Sequence, residues 1–315
     1  MDLEFKSPQH VLEEVRAMRV RGGSPFGRAA ATAFLLVARN GKYDSTESLL
    51  GALDEIADAL MAEKPSMATI YNARVMIVDC VKQGMASASK EEAAKEVIRR
   101  AERFIEWSRE AVDKLSRVGA NLVRDGDIIM MHSFSTSLMG IFRRAREAGR
   151  QFSVICTESR PLRESRYAVN TLVELGIPVT YVTDASAWEF LRKSNWVIVG
   201  ADTITYDGSV TNKMGTAMIA RLCASTQIPI YCASEILKLD PRTKNGYKPV
   251  LEIRPAEEVV SRDDFASFEG VSVINQFFDI TPAKDITALI TDRGVVPPSQ
   301  CGLLWEELAK EIGRR

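Results

Sequence analysis

The sequence predicts an α/β fold, a helical N-terminal domain followed by a doubly wound parallel sheet. Three observations carry the prediction. Roughly the first 115 residues place apolar side chains at helical spacing. From about Asp125 onward, short apolar runs rich in Val and Ile alternate with helix-length segments, as strand–helix–strand units of a parallel sheet do. Between the two regimes lie the turn-forming Gly119 and Asp125-Gly126. The chain therefore divides into residues 1–118 and 119–315.

In the first part, Val11, Leu12, Val15 and Met18 recur with a helical period, and Arg28–Ala38 is rich in Ala and Leu. Leu49–Met61 and Glu92–Leu115 pair apolar stripes with charged faces. Breaks fall at Gly22-Gly23-Ser24-Pro25, Asn40-Gly41 and Lys64-Pro65-Ser66. In the second part Asp127–Met131 reads as a strand and Ser135–Ala148 as a helix. Strand Phe152–Cys156, helix Arg166–Leu175, strand Pro178–Val182 and helix Ala185–Lys193 continue the alternation. Strand Trp196–Val199, helix Gly215–Cys223, strand Pro229–Cys232 and strand Ala288–Thr291 complete it.

The 315 residues are 46% hydrophobic, enough for a substantial core. A net charge of −1 and no basic stripe interleaved with aromatics argue against direct nucleic-acid binding. No apolar run reaches the ~18 residues of a membrane span, and the N-terminus lacks a signal-peptide pattern. The five cysteines are scattered and there are two histidines. No metal-ligand spacing occurs, and neither a metal nor a cofactor is expected. These features predict a reduced, cytoplasmic protein.

Ligands of open parallel sheets bind outside the carboxyl ends of the strands, so polar residues there are the candidates. The apolar Val197–Val199 ends in Gly200-Ala201-Asp202, and Thr211-Asn212-Lys213-Met214-Gly215-Thr216 follows ten residues later. Asp202 can accept sugar hydroxyls or carry a proton, and Asn212-Lys213 can hold an anion. Arg19–Arg28 is a Gly-containing loop before a helix. Its Arg21, Gly22, Gly23 and Arg28 suit a phosphate, and equally an ordinary interhelical loop. Cys156-Thr157-Glu158-Ser159-Arg160-Pro161 leaves a strand, with Glu158 and Arg160 as a phosphate-binding set or a surface ion pair. Ser133 and Ser135 precede a helix and can cap it or bind phosphate. His132 lacks a second ligand at metal spacing and reads as structural. Asp279, in Asp279-Ile280-Thr281-Pro282, is a site candidate or a turn residue.

Taken together and in order, these segments resemble one family. It unites archaeal ribose-1,5-bisphosphate isomerase, methylthioribose-1-phosphate isomerase and the α, β and δ subunits of initiation factor 2B. The matching residues are Arg21-Gly22-Gly23, Lys64-Pro65-Ser66, Thr157–Pro161, Gly200-Ala201-Asp202, Asn212–Thr216, and Asp279–Pro282 with Gly294. The resemblance implies a Rossmann-like second domain, a sugar-phosphate pocket between the domains, and self-association as a dimer or hexamer. It also implies that Asp202 and a cysteine after the first strand carry an aldose–ketose proton transfer. Arg21, Lys64, Arg160, Asn212 and Lys213 would hold phosphates and hydroxyls.

The chain departs from the isomerases at that cysteine, where it has Ser133. A serine hydroxyl is several units less acidic than a thiol and a poor acid or base near neutral pH. Cys156, one strand over, is the candidate substitute. Glu164-Ser165 stands where the isomerases prefer Gln-Gly, and a carboxylate there can repel a second phosphate, with Arg163 and Arg166 beside it to offset that charge. Two functions follow. The first is a regulatory protein related to initiation factor 2B, binding a sugar phosphate or nucleotide and associating with itself or with initiation factor 2 subunits. The alternative is an aldose–ketose isomerase of ribose 1,5-bisphosphate or a related pentose phosphate, with Asp202 as acid/base.

Overall fold

The computed structural model describes residues 3–85 and 88–313. Helices α1 (Pro8–Arg16), α2 (Gly23–Asn40), α3 (Thr46–Glu63), α4 (Ala68–Ala73), α5 (Cys80–Met85) and α6 (Lys90–Ala120) build the N-terminal half. Local signals set their starts. Ser7 caps α1, and capping boxes open α3 (Ser45/Ser48) and α6 (Ser89/Glu92). Helix α2 is the hub against which α1, α3, α4 and α6 pack. Its buried Ala29, Ala30, Ala31 and Ala33 permit that close approach. A π-helical segment, Arg74–Asp79, joins α4 to α5. It carries no periodicity signal that sequence reading detects.

The second half contains β1 (Ile128–His132), α7 (Thr136–Glu147), β2 (Ser153–Thr157), α8 (Ser165–Glu174), β3 (Val179–Val182), α9 (Ala187–Leu191) and β4 (Trp196–Val199). It continues with β5 (Thr203–Ile204), β6 (Val210–Lys213), α10 (Thr216–Thr226), β7 (Ile230–Ala233), β8 (Ile253–Arg254) and β9 (Asn275–Gln276). It ends with β10 (Phe278–Thr281), β11 (Ala288–Thr291), β12 (Gly294–Val296) and α11 (Cys301–Gly313). Among the described residues, the main sheet has seven strands in the order β12-β11-β7-β4-β1-β2-β3, parallel except for β12. The strand order reverses between β1 and β4, so the ends of these two strands form the switch point where such sheets bind ligands.

Each sequence-predicted strand is present. The predicted helix Ala185–Lys193 is shorter, a 3₁₀ turn at Asp184–Ser186 followed by α9. The expected division at 118/119 falls in the last turn of α6. The two halves share one core. Phe34 and Leu53 of the helical half belong to the same buried cluster as Val197, Ile230 and Leu289 of the sheet. A second cluster, including Phe142, Leu172 and Ile198, fills the opposite face beneath α7 and α8.

In the sequence Asn212-Lys213 stand between the turn at Tyr206-Asp207-Gly208-Ser209 and the Gly that opens a helix, with no strand expected there. They lie instead on β6, the central strand of a three-stranded antiparallel sheet, β10-β6-β5. Residues 210–213 are buried along their length, and Phe278 and Asp279 lie opposite Lys213 and Asn212. This small sheet aims the amide and the lysine back toward the end of β4.

Candidate functional site

A cavity of about 300 Å³ opens at the switch point. One wall is the start of α2, contributed by Arg21, Gly22, Gly23 and Phe26. Lys64 and Met67 come from the turn before α4, Ser133–Thr136 from the turn between β1 and α7, and Glu164, Arg166 and Tyr167 from the start of α8. Gly200–Asp202 arrive at the end of β4, Asn212 and Lys213 on β6, and Lys238, Glu252, Phe277 and Phe278 complete the lining. Helices α2, behind Gly22, and α7, behind Ser135, start at this lining without side-chain caps, as does α8 behind Glu164. Uncapped N–H groups and the helix dipole favour an anion. Gly22 sits at φ +88°, open to glycine at little cost. A Cβ on Gly23 would lie 3.0 Å from Lys238 Cε and 3.2 Å from the Asp202 carbonyl oxygen.

Asp202 is half-buried at the cavity wall, and its backbone N–H donates to the Thr211 carbonyl at 2.9 Å. Burial raises its carboxyl to about 6, against the pull of Lys238 and Lys213 and with Glu164 and Glu252 adding to the rise. A carboxyl titrating near neutrality is suited to both accept and return a proton. Lys213 is buried. Its Nζ lies 2.7 Å from Glu164 Oε2 and 2.9 Å from the centre of the Phe277 ring. Burial lowers its pKa, and Glu164 and Asp202 oppose that shift. Asn212 donates through Nδ2 to Thr216 Oγ1 at 3.0 Å, which leaves Oδ1 to accept from a ligand.

Ser133 lines the cavity at φ +67°, its N–H donating to Ser159 Oγ at 2.8 Å. His132 behind it is fully enclosed. Nε2 lies 2.9 Å from the Met214 carbonyl and Nδ1 lies 2.6 Å from Thr157 Oγ1. A carbonyl only accepts, so Nε2 carries the proton and the Thr157 hydroxyl donates to Nδ1. Burial lowers its pKa, keeping it neutral as a latch between β1 and the turn into α10.

The cavity thus brings together Arg21, Gly22, Gly23, Lys64, Ser133, Ser135, Asp202, Asn212 and Lys213. Five other candidates lie outside its lining. Cys156 is fully buried in the core beneath α7 and α8, and burial pushes its thiol up to about 12, so it does not replace the missing cysteine. Arg160 is exposed and donates to the Val259 carbonyl at 2.8 Å. Glu158 pairs with Arg163 at 3.5 Å. Arg28 donates to Ser108 of α6 at 3.1 Å. Asp279 caps α10, accepting from the N–H groups of Gly215 (2.7 Å) and Ala217 (3.1 Å).

The sequence analysis gives no role to Lys238, Glu252, Phe277, Phe278 and Tyr167, sets Arg166 only as an offset to Glu164, and gives Glu164 only a repulsive role. A lysine beside a strand end, as at Cys232-Ala233-Ser234-Glu235-Ile236-Leu237-Lys238, was the available signal. Lys238 Nζ donates to the Ala201 carbonyl at 2.9 Å and lies 3.3 Å from Glu235, whose other oxygen accepts from Ser24 at 2.5 Å. A second cleft of about 320 Å³ runs along α6 beside Trp107. Its basic side chains are already engaged, Arg99 and Arg100 by Glu96 and Arg293 by Glu311. Among the described residues no group of three or more His, Cys, Asp or Glu is placed to hold a metal.

Fold and cavity together define an α/β protein that gathers cations, helix N-termini and one carboxyl of raised pKa at the seam between a helical and a sheet half. The Initiation factor 2 subunit family matches residues 19–298, and the chain belongs to that family. It is similar to the ribose 1,5-bisphosphate isomerase of Methanocaldococcus jannaschii, 33% identical over 301 residues covering 96% of this chain and 94% of that protein. A Pyrococcus abyssi protein described as translation initiation factor eIF-2B subunit 2-like is 37% identical, covering 91% of this chain and 95% of its own length. Among solved structures, the Pyrococcus horikoshii translation initiation factor eIF-2B superimposes with a TM-score of 0.80 at 34% identity, covering 93% of this chain and 98% of its own.

Proposed function

We propose that the chain is an aldose–ketose isomerase of a pentose phosphate, ribose 1,5-bisphosphate or a close relative. This adopts the second of the two functions read from the sequence. The observation that carries it is Asp202, a carboxyl raised to about 6 at the wall of a cavity of about 300 Å³. The relatives named ribose 1,5-bisphosphate isomerase, at 31–34% identity over nearly the whole chain, support the same choice.

In the reaction of a 1-phosphorylated pentose the C1–ring-oxygen bond opens, a proton leaves C2 and one is added at C1, and the C2 hydroxyl proton passes to the released ring oxygen, which leaves a C2 ketone with no net oxidation and no cofactor. Asp202 takes the proton as carboxylate and returns it as carboxylic acid. The α2 N-terminus and Arg21 fix a phosphate, and Asn212 Oδ1 accepts from a sugar hydroxyl. Ser133 stands where a thiol would share the proton work. General acid–base catalysis is worth roughly 10²–10⁴-fold, so turnover is expected to be slow. The test is incubation with ribose 1,5-bisphosphate, ribose 1-phosphate and ribose 5-phosphate while watching for the ketose. Ketose from wild type and none from Asp202→Asn supports the reading.

The regulatory reading is favoured by Ser133 itself. Saturable binding of these sugars without turnover, together with capture of initiation factor 2 subunits, would select it. For either function we infer self-association, as a dimer or hexamer. Val250, Ile253, Phe265, Phe268, Val271 and Ile274 leave apolar surface exposed on one segment. Light scattering that gives a monomer mass would exclude association. We place the protein in the cytoplasm, which suits its five free cysteines. No described helix is long and apolar enough to cross a membrane.

A further inference from the structure

The cations around the cavity fall into two sets. At the inner end each lysine already faces a carboxylate. Lys213 lies 2.7 Å from Glu164, Lys64 3.7 Å from Glu252, and Lys238 3.3 Å from Glu235. At the α8 end, Arg21 and Arg166 have no carboxylate partner among the described residues. Arg21 Nε donates to the Met18 carbonyl at 3.1 Å and its guanidinium stacks on Tyr167 at 4.8 Å. Arg166 donates to the carbonyls of Arg163 and Leu162. Both keep N–H groups for a ligand, next to the uncapped start of α2.

We propose that Glu164 is a specificity-determining residue. It neutralises Lys213, so that the cavity takes a sugar bearing one phosphate, seated at the Arg21–Arg166 end, in preference to a bisphosphate. The proposal rests on the sugar-phosphate reading above. A second phosphate arriving at the inner end meets the carboxylates of Glu164, Glu252 and Asp202. It must displace Glu164 from a buried ion pair before it reaches Lys213. Truncating or displacing one member of such a pair is costly. The rings of Phe277 and Phe278 beside Lys213 suit a neutral, partly apolar sugar end better than a dianion.

The experiment is calorimetric binding of ribose 1-phosphate, ribose 5-phosphate and ribose 1,5-bisphosphate to the full chain and to Glu164→Gln. Wild type is expected to bind at least one monophosphate as tightly as the bisphosphate, or more tightly. Glu164→Gln is expected to tighten bisphosphate binding at least tenfold while moving the monophosphates less than threefold. A general structural role would move all three ligands alike. Bisphosphate binding tenfold tighter than both monophosphates in wild type overturns the inference and leaves the sugar-phosphate reading standing. That comparison needs no variant, so it decides even where Glu164→Gln does not fold. No binding of any of the three to wild type overturns the sugar-phosphate reading, and the inference with it.

Discussion

Replacing Asp202 by Asn is expected to stabilise the protein at neutral pH. The carboxyl moves from 3.8 to about 6 on folding, so the folded state disfavours its charged form. At 1.36 kcal/mol per unit this is about 3 kcal/mol. Asp202 is open to the cavity, and solvent there screens the penalty, so about 1–2 kcal/mol is the reasonable expectation. The attraction of Lys213 and Lys238 is already contained in the net shift. Asn imitates the protonated carboxyl in size and polarity, so it removes the penalty and leaves the packing. The sign with pH follows. A carboxyl raised in the folded state contributes its stability below the unfolded pKa and loses it as pH climbs through the folded value. The advantage of Asp202→Asn is therefore full above about pH 7 and gone near about pH 4. Equilibrium urea denaturation of both proteins across this range measures it. Asp202→Asn less stable than wild type by about 1 kcal/mol or more at pH 7.5, or a difference that does not change with pH, would refute the reasoning.

Ser133→Cys places a thiol at the cavity wall near the uncapped start of α7, where its pKa falls. Turnover of a pentose phosphate is expected to rise at least tenfold, measured as ketose formed, and an unchanged rate would remove Ser133 from the proton path. Gly23→Ala drives a methyl to 3.0 Å from Lys238 Cε, and sugar-phosphate affinity measured by calorimetry is expected to fall more than tenfold. Asp279→Ala takes the cap from α10 and leaves the Gly215 and Ala217 N–H groups without their acceptor. It is expected to cost about 1 kcal/mol in denaturant titration, with ligand affinity unchanged, because Asp279 lies outside the cavity lining.

The parts legible in the sequence were those with a strong local signal. Val197–Val199 followed by an acid announced a strand end at the ligand edge, and Asp202 is found there. Arg21-Gly22-Gly23 before an Ala-rich stretch announced a helix start, which the structure turns into the cavity. What failed depended on contacts distant in sequence. Cys156 ends the predicted strand Phe152–Cys156 and Asp202 follows Val197–Val199, yet only tertiary packing decides that the thiol enters the core. Asp279 looked like a site acid because no local pattern shows that it reaches 64 residues back to cap Gly215. The β10-β6-β5 sheet was missed for the same reason, since its short strands find each other only through the turn at Asp207-Gly208 and a long return loop. Glu164 illustrates a partial success. Its carboxylate was legible, but its pairing with Lys213 was not.

Running the reaction in D₂O tests the central claim most directly. Wild-type protein is expected to convert a pentose phosphate to its ketose with deuterium appearing at C1, and Asp202→Asn to bind the same sugar without producing it. Ketose formed equally fast by Asp202→Asn, or none formed by wild type at saturating sugar, would contradict the assignment of that carboxyl as the proton carrier.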